Sequence, residues 1–137
     1  MNRVRTRHAE LSLEEIADGL PGTGEVMASV GRCYANCWHA ARGGNWQLAA
    51  YFFRRTRSLL RGLGVRRPKY TAQLAEFEAS SLAPLLRTID ARDWEAFDAA
   101  FRAGIDEANR YHVVTNHPYI RWRLPDDVPR DLDLGPG

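Results

Sequence analysis

The sequence has no run close to the roughly 18 apolar residues that a membrane-crossing helix requires, no glycine-rich phosphate loop after a strand and no nucleophile elbow. Membrane-spanning, kinase-like and ordinary hydrolase readings are thereby set aside. The beginning, Met1-Asn2-Arg3-Val4-Arg5 leading to His8-Ala9-Glu10, contains no apolar signal core, so a cytoplasmic location is expected. No segment alternates convincingly with period two, and strands are not expected. The Glu-x-x-His pairs of a di-iron carboxylate bundle are missing too, since Glu107 stands five residues before His112. Net charge is only +2, and 18 of the 19 basic residues are arginine, so composition does not point to nucleic acid.

Cysteine is scarce as well. Cys33 and Cys37 share a helical face, but His39 lies about 200° from Cys37 and about 240° from Cys33 around a helix of roughly 100° per residue. The three cannot converge on one ion, and the cysteines read as small buried hydrophobes or free thiols.

What is present is helical periodicity in a 137-residue chain with 45% hydrophobic content, enough for one soluble domain with a sizeable core. Residues 1–11 are basic and expected to be mobile or loosely docked. Ser12-Leu13-Glu14-Glu15 is a capping box opening a short helix that ends near Gly19, before Pro21-Gly22. A long helix over residues 23–41 carries Met27, Val30, Tyr34, Trp38 and Ala41 on one face. Gly43-Gly44 ends it, and Asn45 caps the next helix, which runs to about Leu63 and is expected to bury Leu48, Phe52, Leu59 and Leu63. A third helix starts near Tyr70, with Pro84 predicting a kink, and Asp93 caps a fourth. That last helix places Trp94, Phe97, Phe101, Ile105 and Ala108 on one stripe ending at His112, read as a buried imidazole at a helix C-terminus. The fold class is all-α, an antiparallel four-helix bundle over residues 12–125. Tyr119-Ile120-Arg121-Trp122 is expected to pack back on it, and residues 126–137 to form a free acidic tail.

Asn109-Arg110-Tyr111-His112 through Asn116-His117-Pro118-Tyr119-Ile120 resembles the haem-attachment end of the bacterial four-helix cytochromes related to cytochrome c-prime. Leu20-Pro21-Gly22, Met27, Trp38, Asn45-Trp46 and Tyr51 resemble their first helix pair, so the likeness spans residues 16–125. That family joins haem through Cys-x-x-Cys-His. Here the cysteine positions are Ala108 and Tyr111 and the histidine stands as His112, which excludes covalent attachment at this site. The resemblance implies non-covalent haem b with His112 as proximal ligand and Met27 as the other axial ligand. It also implies a pocket drawing on Tyr34, Trp38, Ala108, Arg110, Tyr111 and His117, and a homodimer.

Three readings remain open at this stage. The first is a haem protein in redox (oxidoreductase), small-molecule-binding or haem-enzyme chemistry. The second is a haem-free enzyme using the vacated pocket, with Tyr111 and His112 as acid/base groups on a small-molecule substrate. The third is a non-catalytic interaction module presenting Arg54, Arg55, Arg57 and Arg61, continued by Arg66, Arg67 and Lys69. That basic run lacks the interleaved aromatics of a nucleic-acid surface, and its plain alternative is a solvated helix face.

Overall fold

The structure, a computed structural model, describes residues 2–136. It is mostly helical. Strands β1 (Arg3–Arg5) and β2 (Glu10–Ser12) pair antiparallel, with Val4 opposite Leu11. This hairpin was not expected, because three-residue strands are too short to display a period. Its turn is fastened by the Thr6 hydroxyl, which accepts from the backbone N–H groups of His8 and Ala9 at 3.3 and 3.0 Å.

Helix α1 (Leu13–Asp18) begins with the predicted capping box, in which Glu15 N–H donates to Ser12 Oγ at 3.1 Å and Ser12 N–H donates to Glu15 Oε1 at 2.8 Å. Helices α2 (Thr23–Gly43) and α3 (Trp46–Arg66) follow, joined through left-handed Gly44 (φ 87°) and the Asn45 cap. After a 3-10 turn (Pro68–Tyr70) come α4 (Thr71–Phe77), a π turn (Glu78–Leu82) and α5 (Ala83–Ala91). The π turn is the physical form of the expected kink, since Pro84 has no N–H for the carbonyl four residues back and its ring crowds that carbonyl. Helix α6 (Trp94–Val114) is capped by Asp93, which accepts from Ala96 N–H at 3.1 Å.

The α6 stripe is as read, with Phe97, Phe101, Ile105 and Ala108 buried. On α3 the buried face is turned by one residue, to Ala49, Phe53, Thr56, Leu60 and Leu63, leaving Phe52 and Leu59 half-buried. The start of α2 lies beside the end of α6, and Trp38, late in α2, meets Trp94 at the start of α6 with ring centroids 5.6 Å apart. Gly104 is required in between, because a side chain there would collide with the Tyr34 hydroxyl, which donates to the Phe101 carbonyl at 3.0 Å.

The expected free tail is docked instead. Leu134 packs on the core, and Asn45 Nδ2 donates to the Asp133 carbonyl at 3.0 Å. Gly43 permits this, since a side chain there would run into the Leu134 backbone. His39, which is not among the stripe residues Met27, Val30, Tyr34, Trp38 and Ala41, is still only 3% exposed, with Trp38 edge-on and the tail carboxylates Asp126 and Asp127 acting on it.

Candidate functional site

At the end of the molecule where α2 starts and α6 finishes, the core is hollow. A cavity of about 630 Å³ lies there between α2, α3, α4, α6 and the segment after α6. Its volume falls within the range of small-molecule and cofactor sites. Among the sequence candidates, Met27, Tyr34, Ala108, Tyr111, His112 and His117 line it.

Two candidates do not. Trp38 sits on the same α2 stripe but eleven residues beyond Met27, about 16 Å along the axis. It is buried in the aromatic cluster and donates its indole N–H to Asp98 Oδ1 at 3.0 Å. Arg110 is on the outer face of α6, pairs with Glu107 and Glu76, and lies 4.6 Å from the Tyr111 ring centroid.

His112 is partly buried rather than enclosed, because it stands in the last turn of α6 at the cavity wall. Its Nδ1 is 3.0 Å from the Ile120 carbonyl. A carbonyl only accepts, so Nδ1 carries the proton when the ring is neutral and Nε2 keeps a free lone pair. Burial and the neighbouring His117 hold the imidazole below its ordinary pKa, against the Ile120 bond. Near neutral pH the ring is therefore available as a ligand or a base.

The segment that carries this carbonyl is tied to α6 by a pair of bonds that the sequence does not announce, between Asn109 and Trp122. Asn109, one turn before His112, grips the backbone of Trp122 twice, donating from Nδ2 to its carbonyl at 2.9 Å and accepting its N–H on Oδ1 at 2.7 Å. Trp122 in turn stacks on Tyr34 and presents an edge to His112, at 5.7 and 5.6 Å between centroids. The clue was an asparagine three residues before the histidine, on an adjoining part of the helix surface.

Polar atoms beside the cavity are incompletely satisfied. Tyr111 Oη, Thr23 Oγ1 and Gln73 Oε1 are buried without a hydrogen-bond partner, an arrangement that costs free energy unless something fills it. Burial pushes the Tyr111 phenol up to about 12, with the Glu76 carboxylate acting in the same direction. It stays protonated at neutral pH and serves as a donor.

The cysteines follow the plain reading. Both are buried and free, and Cys37 Sγ lies 3.3 Å from the Ala49 carbonyl. Among the described residues, no group of three or more His, Cys, Asp or Glu side chains could hold a metal ion, and no helix is long and apolar enough to cross a membrane. The arginine run of α3 is engaged largely within the chain: Arg61 makes a two-pronged bond to Glu78 (2.6 and 2.9 Å), while Arg55 and Arg57 lie over Tyr51 and Phe53. Comparison with protein-family models, curated proteins and solved structures gives no match.

Proposed function

We propose that this chain is a haem-binding protein holding haem b without a covalent link. In this reading it is an antiparallel four-helix bundle of the cytochrome c-prime kind, with α4, the π turn and α5 counted as one helix. The observation that carries the reading is the Nδ1 bond of His112 to Ile120, which leaves Nε2 as a free ligand at the wall of a large apolar cavity. A hydrogen bond of this kind from the second ring nitrogen to a carbonyl fixes tautomer and orientation in metal-ligating histidines. The donor set fits the group: His112 would be the proximal ligand, Met27 at the same cavity a competent second one, and Phe77, Tyr34 and Trp122 the apolar enclosure. When bound, haem would supply redox chemistry or small-molecule binding at its iron.

Titration of the purified protein with haemin tests this. A stoichiometric Soret band should form, its colour should pass into acid-acetone, and His112→Ala should abolish it. Met27→Ala should convert a six-coordinate low-spin spectrum to high spin. A full Soret band in His112→Ala would refute the assignment.

The unpartnered Tyr111 hydroxyl favours a second reading, a haem-free pocket in which Tyr111 donates a hydrogen bond or proton to a bound substrate and His112 accepts one. There Tyr111→Phe should lower turnover by about 10²-fold with affinity nearly unchanged.

A further inference from the structure

Among the described residues that line the cavity there is no aspartate or glutamate, and Arg67 is the one that carries a permanent charge. Arg67 follows the last residue of α3 and holds its guanidinium 5.5 Å from the ring centroid of Tyr70, which also lines the cavity. Lys69 brings its ammonium to 5.0 Å from the same ring. Neither cation has a carboxylate partner among the described residues, although Arg61, Arg102 and Arg110 all do. Thr23 and Gln73, which line the same cavity, hold two of its three unpartnered buried oxygens.

We propose that the ligand of this cavity is an apolar body ending in a carboxylate, with the carboxylate seated at the Arg67 and Lys69 rim. The interior removes the apolar body from water, the main favourable term. The rim supplies charge-assisted hydrogen bonds, for which a guanidinium already stacked on an aromatic ring is well placed because its donors are fixed in one plane. Neutral ligands of the same shape gain the first contribution and lose the second. The proposal rests on reading the cavity as a ligand site, and does not depend on iron.

The test uses the haem-free full chain, titrated calorimetrically with decanoate and with decanol at neutral pH. The acid should bind at least about tenfold more tightly than the alcohol, the scale of one charge-assisted contact. Arg67→Gln combined with Lys69→Gln should bring the acid down to the level of the alcohol, leaving the affinity for decanol and the helical circular dichroism unchanged. Arg54→Gln, on the exposed face of α3, should leave the preference intact. Equal binding of acid and alcohol by the wild type, binding of neither, or a preference that survives the double substitution overturns the proposal. A preference for decanoate without any His112-dependent Soret band would retain this inference and reject haem. A Soret band without acid preference would do the reverse.

Discussion

The two ends of this molecule are built from the same helices and packed in opposite ways. Where α2 finishes and α6 begins, Trp38, Trp46, Trp94, Phe97 and Phe101 interlock, with Phe97 centroids 5.9 Å from Trp46 and 5.8 Å from Phe101. Both phenylalanines have 0% exposure. Where α2 begins and α6 ends, aromatic side chains such as Tyr34, Phe77 and Trp122 stand around a cavity instead of filling it, with polar atoms left unpaired beside it. Protein interiors ordinarily close up to crystal-like density. This chain does so at one end and keeps a cavity of about 630 Å³ at the other.

The largest expected effect is at the filled end. Phe97→Ala should cost about 3–5 kcal/mol, read from urea unfolding, because the surrounding rings cannot collapse into the space. Filling the hollow end should do the opposite: Ala108→Leu should change stability by less than about 1.5 kcal/mol while abolishing haemin or decanoate binding. A large loss of stability in Ala108→Leu would show that the cavity is closely packed when the protein is free, and the contrast between the ends would fall.

Asn109→Ala comes next, at about 1–3 kcal/mol, since it unpairs both backbone groups of Trp122. Its distinguishing readout is nitrogen NMR of His112, where loss of the Ile120 bond should turn a single neutral tautomer into a mixture. If the tautomer is unchanged, Asn109 serves stability alone.

The smallest effect concerns His39. Burial and Arg42 hold its pKa below the ordinary 6.5, with Asp127 and Asp126 opposing. The folded state thus disfavours the proton that the unfolded chain accepts, so this contribution is fully present above pH 6.5 and is lost as pH falls through the folded value. His112 is depressed in the same direction. The melting temperature should decline below pH 6.5, and His39→Gln should flatten part of that decline.

The legible parts of the fold were local ones. Ser12, Asn45 and Asp93 announce their helices because a cap acts within three residues, and the α6 stripe is plain because its apolar positions have polar neighbours. On α3 the pairs Phe52-Phe53 and Leu59-Leu60 are equally apolar, so periodicity alone could not choose between them, and the buried face was placed one residue off. His39 lies off the apolar stripe of α2 and is buried all the same, and the carboxylates that act on it, Asp126 and Asp127, come from nearly 90 positions later. The candidate site is legible in part for a similar reason: stripe membership places a residue around a helix, and Met27 and His112 do line the cavity, but it does not say how far along the helix a residue lies. Trp38 shares the stripe with Met27 yet stands in the aromatic cluster away from the cavity.

The π turn between α4 and α5 has a consequence for chain length. Such a turn holds one residue more than an α-helical path over the same span. Shortening the chain by one residue anywhere between Glu78 and Leu82 would close the wide turn and leave α4 and α5 presenting the faces they present now. Phe77, Leu74 and Gln73 would stay on the cavity wall, and Leu85 and Ile89 would keep their places in the core. The extra residue is thus absorbed where it stands, and a homologous chain lacking it would keep the same helices, in the same order, around the same cavity.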